Sequence, residues 1–351
     1  MAQIDKPSLH FNTKLYTGNG STQSITGVGF QPDWCWLKNR SATQHHQVFD
    51  AVRTATKRIY PSSNAAEDTA ADTLTAFDSD GFSLGANGGI NGNGNDIVAW
   101  NWKANGAGSS NSNGSITSTV SVNTTAGFSI VKWVGNGSAG ATIGHGLGAT
   151  PAVIIEKITS STGDWLVYHH KNTSAPETEF LRLSQNNATQ DEQTIWNDQA
   201  PTSSVFYVGT ESTVNGNGNN CIAYCFTEKK GFSKFGSYQG RGSQSSNNKY
   251  PFVYCGFTPA FLLVKNTQQG TDYWFTWDNK RPGYNQIQKT LSHNNNNAEV
   301  DSSSYAVDFL SNGFRIRSAT GAINNNNEKI IYMAFAAHPI VGSNNIPAVG
   351  Q

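Results

Sequence analysis

The run Tyr16-Thr-Gly-Asn-Gly-Ser21 returns as Trp133-Val-Gly-Asn-Gly-Ser138 and again as Tyr238-Gln-Gly-Arg-Gly-Ser243. After each copy a proline opens an apolar run: PDWCWLK from Pro32, PAVIIEK from Pro151 and PAFLLVK from Pro259. An aromatic strand follows, HQVFD at 46–50, WLVYH at 165–169 and WFTWD at 274–278. A Gly-Phe type of strand then surrounds Phe82, Phe206 and Phe314, and an Asn-rich turn (91–95, 215–219, 324–328) leads into a final apolar strand. Matching points lie 117 to 124 residues apart for the first two copies and 105 to 109 for the last two. Landmarks in a fixed order at a near-constant period mean one supersecondary unit used three times.

Inside a unit the apolar runs are four to eight residues long, rich in Val, Ile, Phe, Trp and Tyr, and punctuated by Gly, Asn and Ser. That is the pattern of strands and hairpins, in the number one antiparallel sandwich needs. The expected fold is therefore all-β: three tandem antiparallel β-sandwich repeats of jelly-roll or lectin-like type. The expected boundaries are repeat 1 at 11–106, a Gly/Ser/Asn-rich linker at 107–126 in which residues 116–122 could form an extra strand, repeat 2 at 127–230, repeat 3 at 231–339 and a C-terminal tail at 340–351. Runs such as AVII and FLLV are apolar on both faces and read as central strands. NAAEDTAADTLTAF (64–77) is the one helical candidate. The long first linker, against a short gap at 229–234, predicts that units two and three pack closely and unit one sits more freely.

Composition narrows function. The chain carries 24 basic and 24 acidic side chains, and only 14% of its residues are charged. A neutral surface has no counterion release to exploit, which argues against a nucleic-acid partner. The apolar runs are far shorter than the ~20 residues that span a bilayer, and the first residues lack the pattern of a secretory signal, so no membrane partner is expected. Four cysteines without a CxxC pair read as neither a disulfide scaffold nor a metal site.

Triplication supplies an internal control, because a feature present in all three units is needed by the fold. Cys35 matches Ile154 and Leu262, and Cys221 matches Ile97 and Ile330, so these thiols stand in apolar columns. The GNG runs precede polar loops and strands rather than helices, which reads as turn chemistry, not phosphate binding. Asp78-Ser-Asp80-Gly81 lacks the later Glu of a calcium loop. Asp50 with Arg53, and Asp278 with Arg281, repeat one spacing after the aromatic strand, where unit two has His169. An ion pair that holds a loop explains the spacing. A polar rim is the sharper reading, and it makes Asp50, Arg53, Asp278, Arg281 and His169 candidate partner-binding residues. No nucleophile elbow or recurring carboxylate pair is present, so neither catalysis nor a cofactor or metal is expected.

The strings FNTKLYTGNGSTQSITGVGFQPDWCWLKNRS (11–41), VFDAVR (48–53), FDSDGFSLG (77–85) and IVAWNWKANG (97–106) resemble a family of marine bacteriophage virion or tail structural proteins that carry a domain of unknown function. GFSIVKWVGNGSAGATIGHGLGATPAVIIEK (127–157), FSKFGSYQGRG (232–242) and DFLSNGFRIR (308–317) extend the likeness over most of the chain. The resemblance implies a non-enzymatic virion surface protein made in the host cytoplasm, a tail, fibre or host-attachment component. A capsid decoration protein and a lectin-like carbohydrate-binding module are the alternatives. The expected partners are other virion proteins, further copies of the chain and a host surface glycan, the last suggested by the amide-rich turns at 91–95, 215–219, 294–297 and 324–327.

Overall fold

The computed structural model describes residues 3–242 and 250–341; Ser243 and positions 342–351 of the expected tail lie outside the described residues. The chain is all-β, and its sheets are antiparallel. In unit one a large sheet runs in the order Phe11–Thr17, Asp96–Trp102, Trp34–Asn39, Gln47–Asp50. The same four-strand order recurs as Phe128–Val134, Asn220–Phe226, Val153–Ile158, Trp165–His169, and as Ser233–Gln239, Lys329–Pro339, Phe257–Asn266, Phe275–Asp278. A smaller sheet covers each: Gln23–Thr26 with Gly81–Leu84 and Leu74–Asp78, Ala141–Gly144 with Val205–Val208, and Phe252–Tyr254 with Gly313–Ile316 and Val307–Leu310. The registers make Trp102, Phe226 and Phe335 equivalent, each paired with Trp34, Val153 or Phe261 on the proline strand.

Side chains alternate across a strand, so each proline strand serves two cores. Cys35 and Leu37 face the small sheet of unit one, and Ile154 and Leu262 face those of units two and three. Trp34 and Trp36, with Ile155 and Leu263, face the other way, into one cluster to which all three units contribute. There Trp34 stacks on Tyr224 at 4.5 Å, Phe11 on Phe335 at 5.4 Å, and Phe335 lies 5.5 Å from Trp102 and 5.8 Å from Phe226. The expectation of a freer unit one is therefore corrected. It supplies four of the six tryptophans of the shared core, and its sheet is covered on both faces.

The expected linker at 107–126 contains strands, one of them where residues 116–122 read as able to form an extra one. Ser109–Asn111 and Ser118–Asn123 are strands at the edge of unit two's large sheet, because Val120 buries itself in that unit's core. The Gly/Ser content was real, but the alternation of Val120 with Ser121 and Val122 decided the structure. Residues 64–77 form no helix; they include the short strand Asp68–Thr69 and the start of Leu74–Asp78. Glu67 and Asp68 are held by Arg53 and Arg58, and Leu74 is fully buried, contacts a helix would break.

The glycine motif has two physical causes. The second glycine adopts positive φ, +69° at Gly20, +74° at Gly137 and +54° at Gly242, the turn role read from the motif. The first lies against backbone: a Cβ on Gly18, Gly135 or Gly240 would sit 2.3, 2.5 or 2.0 Å from a carbonyl oxygen of the Asn-rich turn. Asn91, Asn215 and Asn324 hold that contact from the other side. Each is fully buried, accepts from the backbone N–H within the motif (3.0, 3.0 and 2.8 Å) and donates to the carbonyl of Gly85, Gly209 or Ser318. Asn215→Ala is expected to lower stability by about 1–3 kcal/mol, since it strands buried backbone groups; urea denaturation measures it.

Candidate functional site

The candidate residues at 50, 53, 278, 281 and 169 are all between 0% and 2% exposed, so none forms a surface rim. The structure gathers them where the large sheets of two units meet. Asp50 accepts from Arg53 Nε at 2.5 Å and from Tyr224 Oη of unit two at 2.7 Å. Asp278 accepts from Arg281 Nε at 2.6 Å and from Trp100 Nε1 of unit one at 2.9 Å. His169, at the same position of unit two, reaches the carbonyl of Tyr332 in unit three at 3.2 Å. Charged residues three apart looked like a solvated feature because their second partners are 174 and 178 residues away. Tyr224→Phe is expected to cost about 1.5–3 kcal/mol, the worth of a hydrogen bond to a buried carboxylate, read from denaturant midpoints.

The same contacts occur three times and close a ring. Trp165 Nε1 donates to the carbonyl of Tyr60 at 2.9 Å, Trp274 Nε1 to that of Arg182 at 2.8 Å, and His46 Nε2 to that of Ser292 at 3.1 Å. Backbone bonds repeat the order: Glu67 N to Thr159 O, Thr189 N to Thr267 O, and Glu299 N to Arg40 O, each between 2.8 and 3.0 Å. Unit one thus joins unit two, unit two joins unit three, and unit three joins unit one through matching positions.

Three lysines complete the pattern, one from each proline strand. Lys38, Lys157 and Lys265 are fully buried on the inner face, and each Nζ donates to the carbonyl of the following residue. Lys38 also reaches Asn296 of unit three, and Lys265 reaches Asn186 of unit two. Burial brings each ammonium down to a pKa of about 8. These groups bond to carbonyls within the fold and, for Lys38 and Lys265, across the junctions.

Four buried histidines share one electrostatic state. In His46, His145 and His169 the Nδ1 atom accepts an N–H, from Trp36 Nε1, Leu147 N and Lys171 N. Their Nε2 atoms face the carbonyls of Ser292, Thr202 and Tyr332. An indole or amide N–H can only donate, so the ring is neutral with its proton on Nε2. Burial is the main cause that holds all four below the ordinary histidine range: His145 to about 4, His169 to about 3, and His46 and His293 well below it. His46 and His293 lie 4.9 Å apart, with Trp36 and Trp100 against them and Arg281 facing them. Among the described residues no three His, Cys, Asp or Glu side chains are grouped to hold a metal. The four cysteines are free and buried, Cys35, Cys221 and Cys255 in the apolar columns where the repeat places them.

The family profile for the domain of unknown function DUF7483 matches residues 6–339. The chain belongs to that family. The match runs from the turn before the first strand to the end of Lys329–Pro339, so the DUF7483 domain takes in all three units and the ring they close. No curated protein and no solved structure matches the chain in the comparisons made.

Proposed function

We propose that the protein is a non-enzymatic structural protein of a bacteriophage virion surface, of tail or fibre type, that makes contact with the host through unit three. The observation that carries the binding role is the distribution of exposed aromatics. The chain buries most of its large rings, yet Phe252, Tyr254, Tyr273 and Tyr284 stand 40–69% exposed, and all four belong to unit three. Phe252 and Tyr254 are two apart on a strand of the small sheet and so share one face. Exposed rings with a polar end are what partner-binding surfaces use. The virion role draws on the sequence resemblance, and the ring gives it a physical rationale: a rigid head of three like units with a near-neutral charge balance and no disulfides.

Labelling purified particles with an antibody against this chain, viewed by electron microscopy, tests the assignment. Label on the tail or its tip, with adhesion of the purified protein to host cells, supports it. Replacing Tyr254 and Tyr284 by Ala is expected to reduce adhesion at least tenfold with an unchanged melting temperature. Label on the head, with binding to assembled capsids and none to cells, makes the protein a decoration component instead. Adhesion inhibited by free glycan, without any label on particles, makes it a lectin-like module.

A further inference from the structure

The three junctions share their backbone bonds and differ in one pair of side chains. Where units one and two meet, Arg53 pairs with Glu67 at 3.1 Å, and where units three and one meet, Arg281 pairs with Glu299 at 2.9 Å. At the junction of units two and three the same two positions hold Asn172 and Thr189, which are shorter and uncharged. A cavity of about 470 Å³ opens there, within the range of roughly 300–1,000 Å³ typical of small-molecule sites. Docking is not looser at this junction, since Thr189 N still bonds Thr267 O at 2.8 Å. Asn172 and Thr189, the exchanged pair, both line this space.

The lining identifies the ligand chemistry. Asn172 is 2% exposed, and its Oδ1 accepts from Thr189 Oγ1 at 2.7 Å, which leaves Nδ2 without a partner. Turning the amide over leaves its other end without one, so this cavity-lining residue carries an unpaired buried polar atom in either state. Unit three supplies Thr267, the exposed amides of Gln268 and Asn327, and Lys329, whose ammonium is in none of the ion pairs among the described residues. The described residues that line the cavity include no carboxylate. Neutral hydroxyls and amides that both donate and accept, beside a single ammonium, match a ligand that is itself mostly hydroxyl and carries one negative group. We infer that this junction is a saccharide-binding site selective for an acidic sugar, with Asn172 and Gln268 toward ring hydroxyls and Lys329 toward the acid group.

The inference deepens the binding role proposed above and does not depend on where the protein sits in a particle. The full chain is applied to an array of neutral and uronate-bearing oligosaccharides, and the best ligand is titrated by calorimetry. Wild type is expected to retain uronate-bearing sugars. Lys329→Ala, at a partly exposed position, is expected to weaken binding at least tenfold and to erase the preference over neutral sugars. Asn172→Arg combined with Thr189→Glu places the ion pair of the other two junctions in the cavity and is expected to abolish binding with no fall in the melting temperature. If that pair of substitutions fails to fold, Gln268→Ala with Lys329→Ala gives the readout from residues outside the core. Retention of no sugar by wild type, or undiminished binding by the substituted proteins, overturns the assignment. Sugar binding without particle label refutes the virion role alone, and particle label without sugar binding refutes this site alone.

Discussion

Replacing Phe335 by alanine is expected to cost the chain about 3–5 kcal/mol, the usual range for emptying a buried aromatic site. Phe335 is 1% exposed and stands within 6.0 Å, ring centre to ring centre, of Phe11, Trp102, Phe226, Phe232, Phe235 and Phe261, which come from all three units. The loss therefore falls on the whole molecule. Guanidinium unfolding followed by tryptophan fluorescence and by far-ultraviolet circular dichroism should give one transition, shifted by the same amount with both probes. Units one and two hold seven of the nine tryptophans, so fluorescence reports chiefly on units that do not carry the substitution. An unshifted fluorescence transition, or a loss below about 1 kcal/mol, would show the units to be independent sandwiches.

Acid is expected to unfold the protein steeply near pH 5. His46, His145, His169 and His293 have folded pKa values below the unfolded value of about 6.5. The stability from keeping them neutral is complete above that unfolded value. It is lost as pH falls, because the unfolded chain binds protons that the native rings refuse. Between pH 7 and 5 each ring gives up roughly 2 kcal/mol, about 8 kcal/mol for the four. Glu156 acts in the opposite sense. Burial pushes its carboxyl well up, so it is protonated in the native state first and returns up to about 3 kcal/mol over the same interval. The net loss of about 5 kcal/mol equals much of an ordinary domain's stability. Urea midpoints measured from pH 7 to pH 4.5 check the slope, and His293→Leu should reduce it by about one proton. A flat profile over this range would mean that the rings are hydrated, and the neutral assignment would be wrong.

The repeat was legible because its landmarks are local: a turn, a proline and a pair of aromatic strands carry their own sequence signatures. What covers a strand carries none. PAVIIEK and PAFLLVK are apolar on both faces, and that pattern is the same whether the second face meets its own unit or another. The shared core was hidden for this reason, and with it the burial of Asp50, Arg53, Asp278, Arg281 and His169. Two signals were nevertheless visible. The apolar runs all end in a lysine, Lys38, Lys157 and Lys265, and the Asn-rich turns all begin with Asn91, Asn215 or Asn324. A polar residue that recurs three times in an apolar setting has to be bonded inside the fold, by the logic that placed the cysteines in apolar columns. The exchange of Arg and Glu for Asn172 and Thr189 was visible only in part. Asn172 stands three after His169, but the equivalence of Thr189 with Glu67 and Glu299 needs the register of short strands that differ in each unit.

The contact of Phe11 with Phe335 has a consequence for how the protein comes to exist. The first strand leaves the ribosome long before the last one is made, and synthesis runs at about 5–20 residues per second. Throughout that interval the sheets of units one and two have only each other to cover Trp34, Trp102 and Phe226. A chain released early would carry an open apolar wall one unit wide, a surface that sticks to its own kind. Fragments ending before unit three should therefore collect in the insoluble fraction, and unit three supplied as a separate polypeptide should bring them back into solution.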